Sequence, residues 1–99
     1  MYNGKLKNEE TDRLFEAILS LESMDECYRF FEDLCTVPEV RALSQRFAVA
    51  ALLRKGETYT AIAEKTGAST ATISRVNRSV AYGSDGYEVI FNRLENGAE

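Results

Sequence analysis

The sequence predicts an all-α fold of six helices, and three observations carry that expectation. Apolar residues recur at spacings of three and four in each long segment and nowhere alternate as in a half-buried strand. Helix-capping residues stand at the starts of these segments, and glycines close two of them. The single proline, Pro38, falls where a first helical turn accepts one, because no N–H is needed there.

Taken in order, Asn8 is the expected N-cap of a first helix whose apolar stripe is Leu14, Phe15, Ile18 and Leu19. Ser23 followed by Glu26 reads as a capping box opening a second helix. Its face, Cys27, Tyr28, Phe30, Phe31 and Leu34, is rich in aromatics for so short an element. Thr36 and Glu39 make a second box around Pro38. The third helix runs to about Lys55 and stops at Gly56, with Leu43, Phe47, Ala50, Ala51 and Leu53 giving a wide apolar surface. Thr58 caps a short fourth helix and Ser69 a fifth. The run Tyr82-Gly-Ser-Asp-Gly86 is a turn, and Asp85 with Glu88 starts a last helix through Val89, Ile90, Phe91 and Leu94.

Residues 58–80 read as a helix-turn-helix. Ile62 and Ala63 lie on its first helix, and Gly67 falls four residues after Ala63, where a left-handed turn is cheap only for glycine. Ile73 and Val76, three apart, plant the second helix against the first. The outer face of that second helix carries Ser69, Thr70, Thr72 and Ser74, then Arg75 and Arg78. A merely solvated helix carries Glu and Lys there, whereas a thin hydroxyl-bearing face suits the major groove.

Charge distribution agrees. The net charge of −4 is uneven: residues 1–53 hold six basic and ten acidic side chains, and residues 81–99 hold one and four. Residues 54–80 hold five basic (Arg54, Lys55, Lys65, Arg75, Arg78) and two acidic (Glu57, Glu64), a local +3 on the expected reading unit. Ninety-nine residues form one domain. We divide it into dimerisation helices (1–57), helix-turn-helix (58–81) and C-terminal turn and helix (82–99). There is no membrane-span-length apolar run and no signal-peptide core, so a cytoplasmic protein with no membrane partner is expected. Cys27 and Cys35, eight apart on one helix and so roughly 12 Å apart along it, cannot bond to each other. With no histidine and no Cys-x2-Cys spacing, no metal site is expected, and the cysteines read as small buried hydrophobes in a reducing cytoplasm. The same absence of histidine, and of an acidic pair beside a nucleophile, argues against an enzyme.

The residues expected at double-stranded DNA fall into three groups. Backbone amides near Ser69 and Thr70 lie at a helix N-terminus suited to phosphate, and Ala68 beside them is also expected at DNA. Thr58, Thr60 and Lys65 add sugar-phosphate contacts, while Thr70, Ala71, Thr72 and Ser74 face base edges. Arg75 and Arg78 reach phosphate or guanine. An architectural, sequence-independent role is disfavoured because such proteins are more basic. The alternative is a helix-turn-helix that binds protein as an interaction module or co-regulator. The aromatic surplus of the early helices calls either for packing on the reading unit or for interlocking with a second copy.

Arg41-Ala-Leu-Ser-Gln-Arg46, Ala51-Leu-Leu-Arg-Lys-Gly56 and Gly67-Ala-Ser-Thr-Ala-Thr-Ile-Ser-Arg75 resemble the Trp repressor superfamily. The stretches 14–21, 27–35, 67–78 and Tyr82-Gly-Ser-Asp-Gly-Tyr87 are similar to its YerC/YecD branch of small bacterial Trp-repressor-like proteins. The resemblance spans nearly the whole chain. It implies a Trp-repressor-like fold of six helices and an intertwined homodimer in which the first three helices of each subunit wrap around the other's. It also implies operator binding and transcriptional regulation, most often repression, on the nucleoid. In the family's namesake, arginines matching Arg46 and Arg75 sandwich the indole of bound tryptophan, and Thr36 and Ser79 match residues around the same pocket. Val76 stands where the repressor has glycine, and its isopropyl group fills part of the slot. The expectation is therefore no cofactor, with tryptophan disfavoured as effector.

Overall fold

In the computed structural model, residues 1–97 are described, and they form six helices with no strand among them. These are α1 Glu9–Leu19, α2 Met24–Leu34, α3 Val37–Arg54, α4 Tyr59–Thr66, α5 Thr70–Tyr82 and α6 Gly86–Asn96. They divide into two compact units, Met1–Val37 and Pro38–Glu99, the boundary lying within the segment 1–57 assigned above to dimerisation.

In the first unit, both helices start on the predicted caps. The Asn8 side chain accepts the Thr11 N–H at 2.8 Å, and Ser23 Oγ accepts that of Glu26 at 3.1 Å. Acids fill both first turns, where the helix dipole favours them. The capping box of α2 is displaced by one residue: Glu26 Oε1 accepts the N–H of Glu22, at 2.8 Å, rather than that of Ser23. Phe30 and Phe31 meet edge to face with centroids 5.6 Å apart, but neither helix buries a single residue. Leu19 is 84% exposed and Tyr28 73%.

The second unit holds the core, made of Val49, Ala50, Ile62, Ala68, Ile73, Val76 and Phe91. Each fully buried isoleucine or valine there stabilises the fold by roughly 1.5–3 kcal/mol relative to exposure. α3 ends in a paired backbone lock: the Gly56 N–H donates to Leu53 O at 3.0 Å and the Glu57 N–H to Leu52 O at 3.1 Å. This 5→2 and 6→1 pattern fixes the chain immediately before α4. α3 has two apolar sides. Val49 and Ala50 face the core, whereas Leu43 and Phe47 stay exposed, although Phe47 stacks on Phe91 at 5.2 Å between centroids.

α6 starts differently from the expectation. Asp85 precedes it with φ 67° and makes no side-chain capping bond, because a left-handed backbone turns its carboxylate away from the first-turn amides. The helix is held instead through Arg54 at the end of α3. That guanidinium donates to Glu95 at 2.8 and 3.2 Å, to Glu88 at 2.9 Å and to Asn92 at 3.0 Å, and lies 5.4 Å from the centroid of the Phe91 ring. Hydrogen bonds to Glu95 and then Glu88 push the Arg54 pKa up, and the Arg54 hydrogen bonds hold the Glu95 carboxyl below its usual range.

Candidate nucleic-acid interface

The helix-turn-helix is built from α4, the turn 67–69 and α5. Thr58 Oγ1 accepts the Ala61 N–H at 3.1 Å, and Ser69 Oγ accepts the Thr72 N–H at 3.1 Å, so both helices carry the predicted hydroxyl caps. Gly67 has φ 74° and donates its N–H to Ala63 O at 2.9 Å, closing α4 in the left-handed conformation predicted for it. Sequence reasoning missed what stiffens this turn. Thr66 Oγ1 donates to Ile62 O at 2.7 Å and accepts the Ala68 N–H at 3.1 Å, while Gln45 Nε2 on α3 donates to Thr66 O at 3.1 Å. A polar residue ending α4 gave only a weak signal of this bracing.

Ile62 from α4 and Ile73 and Val76 from α5 are buried as their spacing predicted, which orients the remainder of α5 outward. Thr70, Ala71, Ser74, Arg75 and Arg78 are exposed, and so are Thr58, Thr60 and Ser69. Thr72 is half-buried, its hydroxyl accepting a 3.1 Å bond from Ser69 Oγ. It is therefore committed to the cap as much as to any ligand.

Two of the residues expected at DNA have other partners in the structure. Ala68 is 5% exposed and its methyl group belongs to the core, because the turn folds it under α5. Its N–H is already taken by Thr66. Lys65 is exposed but held by both Glu57 carboxylate oxygens, at 2.7 and 2.9 Å.

The ion pairs redraw the charge map. Of the five cations in residues 54–80, Arg54 is bound to α6 and Lys65 to Glu57. Lys55, Arg75 and Arg78 make no ion pair among the described residues and are exposed. α5 contains no acidic residue. Its exposed side forms an open groove of about 620 Å³ lined by Ala71, Ser74, Arg75, Asn77, Arg78 and Tyr82. Asn77 and Tyr82 are not among the residues expected at DNA, although their positions three and seven residues after Ser74 and Arg75 bring them to the same groove. Two guanidiniums, an amide, the Ser74 hydroxyl and the Tyr82 phenol along this groove can bind phosphate and hydrogen-bond base edges.

The residues matched to an effector pocket have these individual surroundings. Val76 is buried in the core, Arg75 lines the groove just described, and Arg46 Nε donates to its own helix at Ala42 O, 3.3 Å away. Ser79 lines a second open groove, about 530 Å³, with Phe47, Tyr87 and Ile90 among its walls. Gly83 in that wall has no room for a side chain, since a Cβ would collide with the Ser79 carbonyl oxygen. Thr36 is exposed in the other unit, just before α3. Among the described residues no His/Cys/Asp/Glu group could hold a metal, and no helix is long and apolar enough to cross a membrane.

Comparison with known proteins places this geometry. Residues 9–95 match the family model of the Trp repressor protein. The chain is 55% identical over 95 residues to the uncharacterized protein YerC of Bacillus subtilis (strain 168), covering 96% of this chain and 91% of YerC. A solved TrpR-like protein from Eubacterium eligens ATCC 27750 superposes with a TM-score of 0.90 at 62% identity, covering 95% of this chain and 97% of that one. A proposed Trp repressor from Staphylococcus aureus gives a TM-score of 0.88 at 52% identity, covering 91% and 90%. The six-helix, strand-free architecture is thus a TrpR-like fold.

Proposed function

Since this chain belongs to the Trp repressor family, a regulatory rather than an enzymatic one, we propose that it is a sequence-specific DNA-binding transcriptional regulator that works as a homodimer. The observation that carries this reading is α5, an acid-free helix with two unpaired exposed guanidiniums on a braced helix-turn-helix. Placed in the major groove, its N-terminal turn presents Thr70, Ala71 and Ser74 to base edges. Arg75 and Arg78 meet phosphate or guanine. Methyl and hydroxyl groups make short, weakly directional contacts, so water bridges and DNA shape share the readout. In a bacterium such as those of its relatives, the DNA lies in the cytoplasm, which puts the protein there. Repression is the sign of regulation favoured by the family.

The homodimer is supported by apolar surface that a single chain leaves in water. α1 and α2 bury nothing, and Leu43, Phe47, Ile90 and Leu94 of the other unit are also exposed. A second copy supplies a cover of matching chemistry, and two copies of α5 held about 34 Å apart read successive turns of DNA. For the effector, the buried Val76 supports a protein that does not take tryptophan.

Fluorescence anisotropy of labelled duplex DNA, titrated with protein at several salt concentrations, tests this reading. Salt-sensitive binding that weakens in Arg75→Ala and Arg78→Ala supports it. Absence of salt-dependent binding sinks it and leaves the protein-interaction module. Calorimetry with tryptophan on the wild type and on Val76→Gly tests the effector reading: heat of binding from the wild type contradicts it, while binding by the variant alone identifies Val76 as the obstruction.

A further inference from the structure

Glu57 occupies an unusual place in the helix-turn-helix. Its N–H closes the lock at the end of α3 on Leu52 O, and the next residue, Thr58, caps α4. Its backbone is therefore fixed from both sides, and its side chain is only 25% exposed. From that position the carboxylate accepts from Lys65, in the last turn of α4, with both oxygens, at 2.7 and 2.9 Å. A carboxylate so placed offers the ammonium what a DNA phosphate would offer, an anionic oxygen at hydrogen-bond distance.

The consequence for charge is large on this scale. Glu57 and α4 together carry Glu57, Glu64 and Lys65, a net −1, whereas α5 carries Arg75 and Arg78 and no acid, a net +2. Within residues 54–80, unpaired positive charge is thus confined to α5 and Lys55. A cation freed on α4 would add a contact that is the same for every sequence, raising nonspecific and specific binding alike.

We propose that Glu57 sets the strength of DNA binding: it withholds Lys65 from the DNA backbone and so keeps sequence-independent affinity low. The proposal rests on the DNA-binding reading above. It assigns Glu57 no contact with DNA, only the removal of one.

The test is a salt titration of wild type, Glu57→Gln, Lys65→Gln and the double variant, each on a selected duplex and on a scrambled one. Thermal melts of all four check folding, and Glu57→Ala serves as a second charge-removing variant. In the expected result, Glu57→Gln binds the scrambled duplex several-fold more tightly near 0.15 M salt, and its log–log salt slope steepens by about 0.9, one added phosphate contact. Lys65→Gln alone leaves the wild-type slope unchanged but abolishes the gain in the Glu57→Gln background. The selected duplex gains by the same factor, so discrimination between the two duplexes is unchanged in Glu57→Gln. A folded Glu57→Gln with the wild-type slope overturns the proposal, as does a drop of about 0.9 on Lys65→Gln alone, since Lys65 would then already reach phosphate. Either of those results leaves DNA binding intact, whereas no salt-dependent binding by any of the four proteins overturns the DNA-binding reading itself.

Discussion

Arg75 and Arg78, unlike Arg54 and Lys65, form no ion pair among the described residues, and that separates a residue available to a ligand from one spent on the fold. Arg75→Ala and Arg78→Ala are each expected to flatten the salt dependence of DNA binding by about 0.9 if the contact is to phosphate, with melting unchanged. A sequence preference lost at one base position would mark guanine as the partner instead. Ser69 has the opposite character, since its hydroxyl accepts the Thr72 N–H and donates to the Thr72 hydroxyl. Ser69→Ala should lower stability by about 1 kcal/mol in urea denaturation, through loss of the cap. Val76 is the core residue with a functional shadow. Val76→Gly removes a buried isopropyl group and adds helix-interior glycine, so it should cost about 3 kcal/mol by the same measurement. An unchanged midpoint would mean the valine is not packed as described.

At the level of elements, the helices were legible because their signals are local. Asn8, Ser23, Thr58 and Ser69 accept the amides that a cap must, and Gly67 takes the left-handed turn its position implies. What failed depended on neighbours distant in sequence. Asp85 reads as a cap for α6, but that helix is anchored by Arg54, 31 to 41 residues away from Asp85 and Glu95 in sequence, and no periodicity announces such a pair. The +3 of residues 54–80 was a correct count, yet it misjudged availability, because Arg54 and Lys65 are held by acids a count cannot pair. The α3–α6 anchor carries a pH signature. The Glu95 carboxyl titrates below its ordinary range because Arg54 donates to it, so its contribution is present at neutral pH. That contribution is lost as pH falls from the ordinary glutamate range, about 4.3, through the lower folded value, while Arg54 stays charged throughout. Melting temperatures of wild type and Glu95→Gln should therefore differ most near neutrality and converge towards pH 3. A constant gap would show that the bonds to Glu95 do not depend on its charge.

In the whole molecule, the second unit holds the buried core, and neither α1 nor α2 of the first buries a residue. A chain of 99 residues that leaves Phe15, Leu19, Met24, Tyr28 and Leu34 exposed has put its apolar surface where another molecule can use it. Under the homodimer reading, Leu19→Lys replaces a residue that is 84% exposed in one chain, so in a monomer it should change stability by no more than about 0.5 kcal/mol. Sedimentation velocity should show it shifting a dimer towards monomer, and a single species at monomer mass for the wild type as well would refute the dimer. Periodicity read this surface as core from its apolar stripes alone, and could not say whose core it was. The central claim is that two copies of α5 read DNA in sequence. It is tested most directly by selecting duplexes from a random pool at near-physiological salt, beside a control carrying Arg75→Ala and Thr72→Ala. The account predicts an enriched palindrome with half-sites about 34 Å, one helical turn, apart, absent from the control. No enrichment, or an identical motif recovered by the control, would contradict it.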